Sequence, residues 1–130
     1  MKIFFSLSVF CMTASVMSLP AFADGPAMPN SARICSTCHS FGAGEAPKTG
    51  PNLYGVFGRT AGTSEGFTYS TAMQNSGIVW SDETLSAYLE NPRAYIPGNQ
   101  MSYAGMRNPR QRAEVLEYLL GNCPHRFGNY

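Results

Sequence analysis

Residues 40–68 hold seven glycines and two prolines, with no clean alternation of apolar and polar side chains. A stretch so punctuated reads as loop. The segment from Arg93 to Met106 contains Pro97-Gly98 and reads the same way. Helix is predicted around these loops. A short one starts near Asn30 and carries Arg33 to His39. A second has Ser81 as its N-cap, Asp82 and Glu83 in its first turn, and Leu85, Tyr88 and Leu89 along one face until Asn91-Pro92 stops it. A third is capped by Asn108, starts on Pro109 and runs to Gly121, with Val115, Leu116, Leu119 and Leu120 as its buried stripe. The outcome is a mostly helical, single-domain chain whose loops are too long for its size. Such a chain buries too little apolar surface to offset the entropy of ordering its backbone. Something other than side chains is expected to fill its middle, and a large flat cofactor has the right shape.

The first 23 residues form a separate unit. Lys2 precedes an apolar run, and Ala21-Phe22-Ala23 fits a small-residue cleavage site, so 1–23 is predicted to be a cleaved export signal. A retained membrane anchor is the alternative, opposed by Pro20 and the weak apolarity after Cys11. The mature domain then spans 24–130, with eight basic and eight acidic residues once Lys2 is removed. That balance excludes nucleic acid as a partner, because phosphate binding needs a basic excess. Cys35, Cys38 and Cys123 remain, an odd number that does not make a disulfide framework.

Cys35-Ser-Thr-Cys38-His39 is the C-x-x-C-H pattern of c-type haem attachment. One turn of helix places two thiols where they can add to the two haem vinyl groups, and the next residue presents an imidazole to the iron. The rival chemistries need partners elsewhere. A thioredoxin-like pair should follow a strand, and none is visible. A zinc site needs a second Cys or His pair, and only Cys123 and His125 remain. A chance match of five residues is the remaining alternative.

The segments TGPNLYGVFGRTAG, GFTYSTAM and GIVWSDETLSAYLENPRAYIPGNQMSYAGM, with the VLEYLL helix, extend the pattern in order from residue 35 to about 120. Together they resemble class I cytochrome c, of the mitochondrial type and its bacterial periplasmic relatives. The resemblance implies an all-α cytochrome c fold, with short helices and long loops wrapped around one covalently attached haem. It implies an electron carrier rather than an enzyme. Carried over, Cys35 and Cys38 form the thioethers and His39 is the proximal iron ligand. In the GPN turn at Pro51, the neighbourhood of the preceding residue is expected to offer a carbonyl to the imidazole, bracing the ring. Met101 falls on the distal ligand, where a thioether raises the potential; Met106, Met73 and Met28 are its competitors, and His125 is read as tail. Arg59, Tyr69 and Trp80 match the partners of the haem propionates, and Tyr88 the residue whose hydroxyl approaches the methionine sulfur. Pro92, Tyr95, Pro97 and Gly98 shape the methionine loop. A haem enzyme or ligand-binding sensor with a labile methionine–iron bond is the alternative function.

Several positions depart from the family pattern. Met73 stands where a polar group is usual, which would thin the hydrogen bonding around Tyr88. Ala27 and Ser31 replace a glycine and an aromatic that pack on the last helix, so either Met28 or Ile34 substitutes against Tyr118 and Val115 or the helix pair is weaker than usual. Ile34, Ala94 and Gln100 occupy positions that are often basic, with Arg93, Arg107 and Lys48 retained. Docking is therefore expected to lean on apolar contact with little electrostatic steering. The implied partners are redox proteins: a membrane cytochrome complex, a terminal oxidase or a periplasmic dehydrogenase. The mature chain is expected to be a periplasmic monomer that is not embedded in the membrane. Residues 121–130, with Cys123, are not a family feature; the cysteine is read as a tolerated surface thiol, a free thiol or a link to another chain.

Overall fold

The computed structural model describes residues 27–122, so the predicted export signal and most of the tail, with Cys123 and His125, lie outside the described residues. Among the described residues all regular structure is helical. Thr60 and Val79 form an isolated antiparallel bridge and no strand.

The predicted helix from Asn30 to His39 is instead two 3₁₀ turns, Asn30–Ala32 and Cys35–Thr37. The backbone stays in the right-handed helical region through Arg33 and Ile34, but its bonds run from residue i to i−3. The side chains supply a reason. Ser36 Oγ and Thr37 Oγ1 donate to the carbonyls of Arg33 and Ile34, each at 2.7 Å, and so compete with a regular α ladder. The α-type bond returns at the end, where the His39 amide donates to the Cys35 carbonyl at 2.9 Å.

The stretch between 69 and 80, given no element from sequence, holds the one-turn helix α1, Thr71–Gln74, capped by the Ser70 hydroxyl on the Met73 amide. Its close seat on the preceding loop needs Gly62. That residue has φ of +79°, and a Cβ there would stand 2.9 Å from Gln74 Cα. Helix α2, Asp82–Glu90, begins as predicted with Ser81. A reciprocal box with Thr84 satisfies two end amides, and Leu85, Tyr88 and Leu89 are buried. Pro92 ends α2 but also starts α3, Pro92–Tyr95, correcting the expectation of loop from Arg93. Asn91 caps it through the Ala94 amide, and proline suits the first position of a helix because its missing N–H has no partner there.

Helix α4, Pro109–Gly121, packs on α2 and on the Asn30–Ala32 turn, where Ala32 is wholly buried. Its stripe differs from the predicted one. Leu120 is exposed, while Arg112 and Tyr118 are buried with Val115, Leu116 and Leu119. The face turns toward Tyr118 because Phe41 packs on its ring, with centroids 5.4 Å apart. Phe41, from the loop after His39, thus supplies the aromatic that Ser31 does not. Ser31 instead donates a hydrogen bond to Glu114 at 3.0 Å. Met28 packs partly on the core, whereas Ile34 is 55% exposed and does not substitute.

Arg112 ties these parts together. Its guanidinium donates to the carbonyls of Met106 (2.7 Å) and Arg107 (3.0 Å) and to Ser86 Oγ (3.2 Å), with Glu90 at 3.4 Å. The Met106 amide donates to the Leu89 carbonyl at 2.7 Å. Gly105, at φ +103°, lies so close to the Glu90 carbonyl that a Cβ would collide with it. The end of the 96–106 loop is therefore clamped onto α2.

Candidate functional site

These elements surround a cavity of about 350 Å³ that takes the place of a side-chain centre. The short turn Cys35–Thr37 sets Cys35, Cys38 and His39 on its wall, because consecutive helical residues can share one edge of a pocket. Met101 lines the same cavity from the distal loop. The four residues picked out as attachment points and iron ligands are brought together.

His39 is buried, and its Nδ1 lies 2.7 Å from the carbonyl oxygen of Pro51. A carbonyl only accepts, so Nδ1 carries the proton and Nε2 keeps its lone pair. The acceptor is Pro51's own carbonyl. Burial lowers the imidazole's affinity for a proton more than the Pro51 bond raises it, which favours the neutral ring that a metal needs. Gly50 lies against the ring face: a Cβ there would stand 2.5 Å from His39 Cε1. The loop is held in place by the Gly50 amide donating to the Cys38 carbonyl at 2.8 Å.

The two thiols differ. Burial pushes Cys35 up, and its own backbone and Cys38 follow as smaller influences. Cys38 is exposed and lowered, first by hydrogen bonding with Thr49 and then with Thr37. Elsewhere on the lining, the Trp80 amide donates to the Arg59 carbonyl at 3.0 Å, setting these two residues side by side. Arg59 donates to the carbonyls of Asn52 (2.9 Å) and Tyr54 (3.2 Å). Tyr69 is raised by burial, against an opposing pull from the Arg59 charge. Arg59, Tyr69, Trp80 and Tyr88 all line the cavity, and the Trp80 and Tyr88 rings stand 5.1 Å apart.

The methionines sort themselves. Met106 is buried in the core and Met28 packs beside it, neither on the cavity wall, while Met73 and Met101 both line it. Met73 is buried on α1 and sets an apolar thioether on the cavity wall. The Tyr88 hydroxyl donates to Asn99 Oδ1 at 3.4 Å, and burial raises it far above an ordinary phenol. Sequence reasoning passed over Asn99, although its place just after Pro97-Gly98 was a turn signal. It also passed over Phe41, whose ring partner Tyr118 lies far along the chain, and Arg112, which reaches back to Ser86 and Glu90 as well as to nearby carbonyls.

A haem fits this arrangement by its donor set. The cavity has paired thiols on a turn, a neutral buried imidazole with Nε2 available, a glycine that leaves room for the ring, and a thioether from another segment. A flat apolar body would complete the core that the side chains leave open.

Comparison with known proteins agrees. The family model described as cytochrome c matches residues 30–122. The cytochrome c of Ginkgo biloba is 45% identical over 85 residues, covering 65% of this chain and 75% of that one. The cytochrome c of Trypanosoma brucei brucei is 54% identical over 70 residues, covering 54% and 75%. Among solved structures, cytochrome cH from Methylobacterium extorquens superposes with a TM-score of 0.66 at 32% identity, over 69% of this chain and 90% of that one. With short helices around a cavity walled by CSTCH, and with this likeness over most of its length, the chain belongs to the cytochrome c family.

Proposed function

We propose that this protein is a single-haem electron carrier with His39 and Met101 as its two axial ligands. Cytochromes c bind covalently attached haem c and are electron carriers rather than enzymes, and that much this chain shares as a member of the family. The finer assignment is carried by one observation: Cys35, Cys38, His39 and Met101, from distant parts of the sequence, line one cavity. Cys35 and Cys38 hold the haem by thioethers. Arg59, Tyr69 and Trp80 receive its propionates, which would otherwise be costly to bury. The haem supplies a ferric–ferrous couple, and a methionine sulfur favours the reduced state. The chain's own part is to keep the imidazole neutral and fixed through Pro51, to present Met101, and to exclude water with Trp80, Tyr88 and Leu85.

Partners are redox proteins that meet the exposed side of the cavity, around Cys38. There Ile34 and Gln100 are exposed, and Lys48 donates to the Ser36 carbonyl at 2.9 Å. Docking there rests on apolar contact more than on charge. No helix among the described residues is long and apolar enough to cross a membrane. Export to the periplasm by cleavage of 1–23 is part of the proposal and rests on the sequence of that segment.

The test is spectroscopic. Haem that survives acid-acetone extraction, a ferric methionine–iron band, and ferrous protein that does not bind carbon monoxide at neutral pH are the expected results. Met101→Ala should lose the band and bind carbon monoxide with haem still attached. Wild-type protein that binds carbon monoxide and lacks the band would turn the reading to a haem enzyme or sensor.

A further inference from the structure

Asn99 belongs to the distal loop, two residues before Met101, and three of its polar contacts fix which way its amide faces. Nδ2 lies 2.7 Å from the carbonyl of Pro92 and 2.7 Å from that of Ile96, while Oδ1 accepts from the Met101 amide at 2.9 Å. Turning the amide over would set an oxygen against two carbonyls and an NH₂ against an N–H. The observed orientation is therefore the one the surroundings permit. The same Oδ1 is the acceptor for the Tyr88 hydroxyl, at 3.4 Å. Because Oδ1 can only accept, Tyr88 must donate, and a phenol has one proton to give. Burial keeps that proton in place at any ordinary pH.

We propose that Asn99 is a positioning residue that claims the Tyr88 proton and anchors the Met101 backbone, so that the Met101 sulfur receives no hydrogen bond from Tyr88. The proposal rests on Met101 being an iron ligand. A hydrogen bond to the sulfur would draw electron density from it and favour ferrous iron, which depends less on a strong donor. By taking the proton, Asn99 leaves the sulfur a fuller donor to ferric iron. It also joins α3 to the loop, since its two carbonyl partners lie at the start of α3 and just beyond its end.

Redox titration of the full haem-loaded chain tests this, with Tyr88→Phe, Asn99→Leu and the double variant. Tyr88→Phe removes a proton that the sulfur does not use, so the equilibrium constant for reduction should stay within about twofold. Asn99→Leu frees the buried hydroxyl to turn to the sulfur, and the constant should rise about fivefold, the worth of one neutral hydrogen bond. In the double variant it should return to within about twofold of Tyr88→Phe. A merely structural role for Asn99 would leave its effect unchanged in the double variant, and that result overturns the proposal. So does a fivefold fall in Tyr88→Phe alone, a measurement that decides the matter even if Asn99→Leu does not fold. A wild-type ferric spectrum without the methionine–iron band overturns the Met101 assignment itself, and the proposal with it. The band present with either of the other two results overturns only the proposal.

Discussion

His39 Nδ1 and the Pro51 carbonyl oxygen lie 2.7 Å apart, and that one bond decides the tautomer, the ring angle and which nitrogen meets the cavity. The residue just before Pro51 enforces the contact from the other side, since Gly50 leaves no side chain against the ring. Gly50→Ala would put a methyl group 2.5 Å from His39 Cε1 and 2.8 Å from Nδ1. The expected outcome is a ring pushed off its position, a stability loss of about 2 kcal/mol from overpacking, and an altered ferric spectrum. Thermal unfolding of the haem-loaded protein and its visible spectrum check both.

Arg112 is buried and holds the end of the distal loop by the carbonyls of Met106 and Arg107. Arg112→Leu leaves those acceptors without their charged donor and should cost about 3 kcal/mol in urea unfolding. Arg112→Lys should recover less than half, because an ammonium cannot reach Ser86 and both carbonyls in the same fork. A Lys variant as stable as the wild type would count against the clamp.

Glu45 gives the loop after His39 a pH dependence. Its Oε2 accepts from the Gly42 amide at 2.9 Å and the Phe41 amide at 3.1 Å, and these two bonds, Gly42 first, hold its carboxyl below the usual value of 4.5. A carboxyl lowered on folding contributes stability that is present above 4.5 and is lost as pH falls through the lower folded value. Protection of the Phe41 and Gly42 amides from hydrogen exchange should therefore decline on acidification from about pH 6 to about pH 3. In Glu45→Gln the decline should vanish. The readout matters because Phe41 is the residue that packs on Tyr118.

The chain carries a formal charge of only +1, and an exposed Ile34 stands beside the cysteine turn. Electron transfer to an anionic inorganic oxidant should change less than about threefold between roughly 10 and 150 mM ionic strength. Ile34→Lys adds a charge at an exposed position near the cavity mouth, so its rate should be faster at low salt and fall more steeply. A steep dependence in the wild type would overturn the expectation of weak steering.

Much of this protein is local and so was legible in its sequence. Ser81, Asn108 and Pro109 mark helix starts because capping bonds span only a few residues, and both helices begin where these residues stand. CSTCH states its chemistry within five residues, and the glycine-rich loops imply a centre filled by something other than side chains. The same short range explains a miss: the hydroxyls of Ser36 and Thr37 convert the expected helix into 3₁₀ turns, a competition that helix patterning does not weigh.

Other features were decided by the tertiary structure. That Phe41 packs on Tyr118 while Ile34 stays exposed, that Leu120 faces out, and that Asn99 takes the Tyr88 proton depend on where the loops come to rest. Met73 and Met106 are the same residue type and both belong to the buried cluster, yet of the two it is Met73 that also lines the cavity. Composition and spacing specify bonds between near neighbours. Contacts across tens of residues follow from closing the loops around one volume, and only the folded chain determines which side chains share it.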